Sequence, residues 1–553
     1  MRARKHIDIW SIFKIVIILL FVLFLLYPIV SLLIQSVYTK GEGFSLEQFA
    51  KFFGKSYYFG TLLNSIKVSL SATIITILIG VPLAYFFSMY KIVGAKVLRI
   101  FIILSSMSAP FIGAYSWILL LGRNGIITKF ISDTIGIKLN GIYGFGGILL
   151  VFACQLYPLI FLYAEGGFGN MDNSLMEAGE SLGCKGIRRF FKIILPIVLP
   201  TILSGTLLVF MRSLADFGTP MLIGEGYRTF PQLIYTEFVG EVGTNAGFAS
   251  AISVVAIIFT TLIFILQKKI SEKNEYQINF LNPIPKRKAK GVKGILMHLF
   301  CYLVVGISIM PQIYLIYSSF KNTSGLLFVE GHSLMNYKEA FARTGVAIKN
   351  TIILPLIALV IIVFVAIIIS YLVVRRRNAV SNVIDVLSMI PYIVPGIVVG
   401  IALLNGFSTG IMGSKILVIT GSAVIVIVSF VIRRLPYTIR SSTATLQNIP
   451  MSIEEAAHSL GCSKLKTFFK VTVPIMRRGI IVGAILSYIT LISELSTSIL
   501  LTNLKTKTMT VAIYTEIIRG NYGIAAALST MLTVITALAL VIFTIVGDKK
   551  TTI

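Results

Sequence analysis

Glu177-Ala178-Gly179, followed by Gly183 and then by Ile193-Ile194-Leu195-Pro196, is the stretch of sequence that decides the fold of this chain. A second copy begins 278 residues later and reads Glu455-Ala456-Ala457, then Gly461, then Val471-Thr472-Val473-Pro474. Each copy lies in a charged segment between long apolar runs. Two copies at matching spacing predict a chain built from two repeats of one unit.

The apolar runs around these copies indicate the class of protein. The 553-residue chain is 56% hydrophobic and only 13% charged, which is more apolar surface than a soluble domain can bury. Runs of about 20 apolar residues are long enough to cross the hydrocarbon core of a bilayer. Backbone groups inside lipid must find partners within their own segment, so these runs are predicted to be helices. The sequence therefore predicts an all-α polytopic protein of a cell membrane, with the lipid bilayer as its surroundings.

About 12 transmembrane spans are predicted, six in each repeat. They are placed at 12–35, 60–90, 98–121, 146–164, 193–216, 246–266, 294–318, 347–373, 383–405, 416–436, 471–502 and 524–547. Loops rich in Lys and Arg alternate with less basic loops, which places both termini and both copies of the pattern in the cytoplasm. The same orientation accounts for the net charge of +27. No aromatic-interleaved basic surface is evident, so nucleic acid is not expected as a partner.

The repeat extends beyond the two charged segments. Asn64-Ser65 matches Asn350-Thr351, and Phe190-Phe191-Lys192 matches Phe468-Phe469-Lys470. The predicted organisation is a first repeat at 1–266, a basic cytoplasmic linker at 267–293 and a second repeat at 294–553. Six spans per repeat give both repeats one orientation, so they are expected to be parallel and related by a pseudo-twofold axis along the membrane normal.

The repeated pattern is similar to the cytoplasmic coupling loop of binding-protein-dependent ABC importers. Its spacing is E-A-A, three residues, G, nine residues and I-x-L-P. Segments 105–115, 214–220, 391–397 and 494–501 further resemble fused permease subunits of the ferric-iron importer family. The resemblance implies the MetI-like permease fold of type I ABC importers. It also implies a permease that translocates a small solute, with ferric iron first and thiamine, aminoethylphosphonate and polyamines as open alternatives.

The family resemblance also suggests partners and functional residues. Two cytoplasmic ABC ATPase subunits would dock on the coupling loops, and an extracytoplasmic binding protein would deliver the solute. The residues assigned to ATPase coupling are Glu177, Ala178, Gly179, Gly183, Pro196, Glu455, Ala456, Ala457, Gly461 and Pro474. Gly54-Lys55-Ser56 ends like a phosphate-binding loop, but Phe49 stands where that motif needs glycine. The chain is therefore predicted to be a non-catalytic subunit without a cofactor, and ATP hydrolysis is assigned to separate subunits.

Three ionisable residues near membrane depth are candidates for the translocation pathway. Arg212 and Asp216 are four residues apart and could pair on one helix face, and Glu494 follows Asp216 by 278 residues, the interval between the loops. One interpretation places the two acids along the pathway of a cationic solute. The other makes Arg212–Asp216 a structural clasp and Glu494 an interfacial group.

An ion-coupled secondary transporter is the alternative class of function. It would need buried acids or histidines near the middle of the membrane, and those are scarce in this sequence. The four cysteines form no C-x-x-C pair and no histidine clusters with them, so no metal site is predicted.

Overall fold

The computed structural model describes residues 8–39, 43–107, 109–138, 140–184, 186–240, 246–272, 284–324 and 327–548, and these are mostly helical. The helices of the first half are α1 (Ile9–Phe21), α2 (Tyr27–Val37), α3 (Glu47–Gly54), α4 (Ser56–Met89), α5 (Ala95–Met107), α6 (Pro110–Leu121), α7 (Ile126–Ile135), α8 (Phe145–Gly169), α9 (Asn173–Ser181), α10 (Gly186–Arg189), α11 (Leu195–Ala215), α12 (Gly218–Ile223), α13 (Phe230–Val239) and α14 (Ala246–Glu272).

The second half continues with α15 (Gly291–Ser319), α16 (Met335–Arg375), α17 (Ala379–Ile393), α18 (Gly396–Phe407), α19 (Ala423–Gln447), α20 (Met451–Ser459), α21 (Lys464–Thr467), α22 (Val473–Ile492), α23 (Ser498–Leu501), α24 (Met509–Ile518) and α25 (Tyr522–Asp548). Three π-helical turns lie at Val22–Leu26, Phe190–Ile194 and Phe468–Thr472, and a 3-10 turn lies at Ile411–Gly413. Two antiparallel hairpins pair β1 (Tyr38–Thr39) with β2 (Gly43–Phe44) and β3 (Lys321–Ser324) with β4 (Leu327–His332).

The all-α membrane architecture is confirmed, with fewer long apolar helices than the expected 12. Within the described residues, nine helices are long and apolar enough to cross a membrane, and two bent helix pairs raise that number to at most 11. The predicted span 416–436 corresponds to α19, which is a 25-residue helix. Arg433, Arg434 and Arg440 lie within it, and their charges lower its hydropathy.

Two predicted spans, 98–121 and 383–405, are bent pairs rather than continuous helices. The bend between Ala95–Ser106 and Pro110–Ile135 is 103°, and that between α17 and α18 is 111°. Ala109 and Val394, which precede Pro110 and Pro395, have extended ψ angles of 136° and 129°. The residue before a proline avoids the helical region because it would clash with the proline ring. The sequence shows these prolines, and they are the physical reason for the bends.

The first compact unit comprises Lys51–Thr236 and Ile258–Ser318. Its core is the packing of α4, α8 and α11. A Cβ on Gly80 of α4 would lie 2.8 Å from the Cβ of Ile160 in α8, so glycine allows these two helices to approach closely. Met297, Cys301 and Val305 of α15 belong to the same buried cluster.

The second compact unit comprises Met1–Ala50, Glu237–Ile257 and Ser319–Ile553. Its core is the packing of α16, α19 and α22, which are the counterparts of α4, α8 and α11, together with α25. Helix α1 packs on α17, and α2 packs on α18.

The compact units and the predicted sequence repeats have different boundaries. Helices α1 and α2 open the first half of the sequence but belong to the second unit, whereas α15 opens the second half and belongs to the first unit. Part of the predicted linker is docked within the first unit. Arg287 donates its backbone N–H to the Met89 carbonyl and accepts from the N–H of Lys91, both at 2.9 Å. Residues 273–283 of the linker lie outside the described residues.

Candidate functional site

Each copy of the repeated pattern forms a helix, a glycine turn and a second short helix. In the first loop these are α9 and α10, and in the second they are α20 and α21. A π-helical turn then leads into α11 or α22. Pro196 and Pro474 lie in the first turn of these long helices, where a missing N–H costs least. We call residues 173–196 and 451–474 the first and second coupling loop, after the importer loop that their sequence resembles.

Left-handed glycines make the turn in both coupling loops. The φ angle is +77° at Gly183 and +82° at Gly461. Directly after the turn, the backbone N–H of Cys184 or Cys462 donates to a carbonyl of the preceding helix, at 2.8 and 3.0 Å. A Cβ at either glycine would meet no atom within 4 Å. The backbone conformation, rather than close packing, therefore requires glycine at these two positions.

The two loops expose the same positions and bury the same positions. Glu177, Ala178, Glu455 and Ala456 are exposed, whereas Gly179 and Ala457 are buried. Just before each turn glycine stands an exposed leucine, and the exposed fractions of Leu182 and Leu460 are 88% and 85%. An exposed leucine thus stands at the matched position of both loops.

The inner faces of the two coupling loops differ in chemistry. Glu454 of α20 is buried and forms an ion pair with Arg375, the last residue of α16, at 2.9 Å. The hydroxyl of Tyr371 donates to the other carboxylate oxygen of Glu454 at 3.1 Å. The position of Glu454 in the first loop is held by Met176, which is also buried. Sequence reasoning singled out the neighbouring Glu455 and missed Glu454, although Arg375, just after the predicted span 347–373, was visible.

Arg212 and Asp216 do not form the predicted pair. Helix α11 ends at Ala215, and Asp216 has extended backbone with a ψ angle of 125°, so the two side chains no longer share a helix face. Arg212 is exposed, and the Asp216 carboxylate accepts from the backbone N–H of Gly218 at 2.9 Å. Asp216 comes after the end of the span Phe190–Ala215, and burial raises the pKa of its carboxyl to about 6.

Glu494 forms a buried ion cluster that the sequence analysis did not anticipate. Its two carboxylate oxygens accept from the guanidinium groups of Arg433 and Arg434, one each. The exposed fraction of the Glu494 side chain is 3%, and those of the two arginines are 14% and 15%. The cluster has two positive charges and one negative charge. Both arginines lie inside the predicted span 416–436, so consecutive charges within an apolar run were the signal that could have found them.

The two acids at matched positions therefore differ in their surroundings. Gln155 stands in the first repeat where Arg433 stands in the second, and it donates to the Pro110 carbonyl at 3.0 Å. Asp216 has no ion pair among the described residues. Within the same part of the chain, no group of three His, Cys, Asp or Glu residues is placed to hold a metal ion.

Comparison with known proteins gives the family. The protein family described as "binding-protein-dependent transport system inner membrane component" matches this chain twice, at residues 76–275 and 362–551. The ferric transport system permease protein FbpB of Actinobacillus pleuropneumoniae is 28% identical over 545 residues, which are 97% of this chain and 78% of that protein. The putative ferric transport system permease protein FbpB 1 of Haemophilus influenzae is 27% identical over 504 residues, which are 89% of this chain and 78% of that protein.

A third relative matches only part of the chain. The spermidine/putrescine transport system permease protein PotB of Haemophilus influenzae is 28% identical over 256 residues, which are 44% of this chain and 88% of that protein. Each of the two family matches contains one coupling loop, and together they cover more than half of the 553 residues. The chain is a multi-pass membrane permease that belongs to the family of binding-protein-dependent transport system inner membrane components, two copies of which it carries in one polypeptide.

Proposed function

We propose that this chain is the membrane subunit of an ABC importer for ferric iron. The observation that supports ferric iron as the substrate is the share of this chain that each relative matches. Two relatives that match 97% and 89% of the chain are named as ferric transport permeases. The relative named for spermidine and putrescine matches 44%. Polyamine, thiamine and aminoethylphosphonate remain the alternative solutes of the same importer class.

Two cytoplasmic ATPase subunits are the proposed partners of the coupling loops, one at each loop. The support is the matched surface of each loop, with the exposed Glu177 and Leu182 in the first and Glu455 and Leu460 in the second. ATP hydrolysis belongs to these separate subunits in our proposal. We further propose that an extracytoplasmic binding protein delivers the solute, and the words "binding-protein-dependent" in the family description support this.

The proposed orientation places both termini and both coupling loops in the cytoplasm. The basic residues of 165–192, 267–293 and 437–470 support it, because cytoplasmic loops carry the excess of Lys and Arg. Single cysteines introduced into these segments should be protected from an impermeant thiol reagent in intact cells. Labelling of residues 267–293 from outside would reverse the proposed topology.

The buried charges refine the proposal for the translocation pathway. Glu494 is neutralised by Arg433 and Arg434, so its surroundings support a structural role rather than attraction of a cation. Asp216 and the exposed Arg212 remain pathway candidates. A cation that meets Asp216 would be attracted by a single carboxylate, which is weak enough to allow release.

Uptake by cells with and without the gene tests the substrate. Deletion should abolish accumulation of radioactive ferric iron and leave the uptake of spermidine and thiamine unchanged, and a plasmid copy should restore it. Loss of polyamine uptake with normal iron uptake would contradict the proposal. Depletion of ATP at constant membrane potential distinguishes the importer from an ion-coupled secondary transporter, because only uptake by the importer should stop at once.

A further inference from the structure

We propose that Glu454 is a positioning residue that fastens the second coupling loop to helix α16, so that movement of a docked ATPase subunit is carried into the membrane core. This inference rests on the proposed docking of an ATPase at the loop. It concerns the inner face of the loop, whereas docking concerns the outer face. The two faces are adjacent on α20, because Glu455 is exposed and Glu454 is buried.

The carboxylate of Glu454 is held from two sides by one helix. One oxygen accepts from Nε of Arg375 at 2.9 Å, and the other accepts from the Tyr371 hydroxyl at 3.1 Å. A second nitrogen of Arg375 donates to the carbonyl of Ile449, just before α20, at 2.6 Å. The cytoplasmic end of α16 thus forms hydrogen bonds with both the helix of the coupling loop and the backbone that leads into it.

Burial makes this contact stiff. The exposed fractions of the Arg375 and Glu454 side chains are 9% and 3%. Hydrogen bonds between charged groups are stronger in such a low-dielectric site than in water. Separation of the pair would leave each charge buried without a partner, which is costly. The loop and the end of α16 are therefore expected to move as one body.

Helix α1 supports the contact from its other side. The Trp10 ring lies 4.5 Å from the Tyr371 ring and 5.2 Å from the Phe468 ring in the π-helical turn of the same loop. Tyr371 and Phe468 are themselves 4.8 Å apart, edge to face. Lys14 of α1 donates to the Arg376 carbonyl at 2.9 Å. Tyr371 is therefore fixed in the position from which its hydroxyl reaches Glu454.

The first repeat achieves the equivalent attachment with apolar side chains. Tyr85 stands where Tyr371 stands, and its ring lies 5.1 Å from that of Phe190, again edge to face. Met89 and Met176 occupy the positions of Arg375 and Glu454, and both belong to one buried hydrophobic cluster. The first repeat thus has buried methionines at both positions, and methionine at both positions of the second repeat is the apolar replacement for its ion pair.

The test uses the whole complex purified through a tag on this chain, with the ATPase that accompanies it, in proteoliposomes. The variants are Glu454→Gln, Tyr371→Phe and the double variant Arg375→Met/Glu454→Met, which copies the first repeat. Glu339→Gln is the control, since Glu339 forms an ion pair with Arg343 at 3.0 Å that is largely exposed and lies at the other end of α16. Uptake of radioactive ferric iron, presented on its binding protein, and ATP hydrolysis are measured on the same preparation, together with the midpoint of thermal unfolding.

The proposal predicts a lower ratio of solute transported to ATP hydrolysed. We expect Glu454→Gln to lower this ratio at least fivefold, with the ATPase still bound, and Tyr371→Phe to lower it about two- to threefold because one of two hydrogen bonds is lost. The double variant should return the ratio to within about twofold of the native value, since apolar packing replaces the ion pair as in the first repeat. Glu339→Gln should change nothing.

An unchanged ratio in Glu454→Gln would overturn the proposal, whatever the effect on thermal stability. Should Glu454→Gln fail to assemble, Tyr371→Phe decides, and an unchanged ratio in that variant would equally refute the role. A native chain that retains no ATPase would instead refute the proposed docking. The two failures are therefore distinguishable.

Discussion

The hydroxyl of Ser65 accepts a hydrogen bond from the backbone N–H of Phe230 at 2.7 Å and so joins α4 to the first residue of α13. The second repeat makes the same contact, because Thr351 accepts from the N–H of Met509 at 2.7 Å. In each repeat the preceding asparagine donates to a carbonyl of the same segment. The paired signature seen in the sequence thus fastens the segment that follows α12 or α23 onto a long membrane helix.

Loss of either hydroxyl should destabilise the protein. Ser65→Ala and Thr351→Val each leave a buried backbone N–H without its partner, at a cost of about 1–3 kcal/mol. Thermal unfolding in detergent measures the effect. Thr536→Val is the matched control, because that buried hydroxyl donates only to a carbonyl of its own helix, and its loss should shift the midpoint little. Equal midpoints for Thr351→Val and Thr536→Val would contradict the assigned role.

Replacement of the exposed leucines should weaken ATPase binding without unfolding the permease. Leu182→Asp and Leu460→Asp change side chains that are 88% and 85% exposed, so the free energy of unfolding should stay within about 0.5 kcal/mol. A contact at the centre of an interface costs more than about 1 kcal/mol when lost, which is about fivefold in affinity. Co-purification of the ATPase measures it. Leu504→Asp, at an 89% exposed leucine outside both loops, should retain the ATPase fully.

The effect of replacing the turn glycines should depend on the backbone conformation that the new residue tolerates rather than on the size of its side chain. Gly183→Val and Gly461→Val place a β-branched residue at φ of +77° and +82°, which costs about 1–3 kcal/mol each and should reduce both ATPase binding and uptake. Gly183→Asn and Gly461→Asn should retain most activity, since asparagine tolerates the left-handed region and the space around both positions is open. Equal loss with Val and Asn would show that bulk is the cause.

Asp216 should make stability depend on pH. Its folded-state pKa of about 6 lies above the usual value of about 4 for an aspartate. The folded protein therefore binds more protons than the unfolded chain between these values, and its stability falls as pH rises through that window. Asp216→Asn removes the effect, so the variant should be more stable than the native chain at pH 7.5, by up to about 3 kcal/mol. The difference should shrink at pH 5, and a lower midpoint of Asp216→Asn at both pH values would contradict this assignment.

Neutralisation of Glu494 should lower the stability of the protein, whereas neutralisation of Asp216 should raise it. Glu494→Gln leaves the guanidinium groups of Arg433 and Arg434 without their carboxylate, and removal of one partner from a buried ion pair costs about 3–5 kcal/mol. Yield and thermal midpoint should both fall. Glu330→Gln, on exposed β4, should change neither. A stable Glu494→Gln variant with lost uptake would return Glu494 to the translocation pathway.

Long-range periodic features of the fold were predictable from the sequence. Hydropathy located the long helices, and the repeated pattern located both coupling loops and the positions of Gly183 and Gly461. The bends at Pro110 and Pro395 were missed because the apolar runs continue across them, although both prolines were visible.

Side-chain partners were not predictable in the same way. Arg375 and Glu454 are 79 residues apart in sequence, and only the packing of α16 shows which of two adjacent glutamates is buried. Asp216 and Glu494 looked equivalent because they lie 278 residues apart, as the two loops do. Glu494 nevertheless pairs with Arg433 and Arg434 of α19, whereas Asp216 accepts from the backbone of Gly218. A single sequence contains the charges but not the distances that join them.

The placement of α1 has a consequence for how the protein is made. Trp10 leaves the ribosome well before its ring partner Tyr371, which follows about 360 residues later. At a synthesis rate of about 5–20 residues per second, this delay lasts on the order of 20–70 s. During that time the contacts of Trp10 with Tyr371 and Phe468 cannot form. The second unit is therefore completed only after the segments that pack against α1 have been synthesised, and a chain truncated before residue 371 leaves Trp10 without these ring contacts.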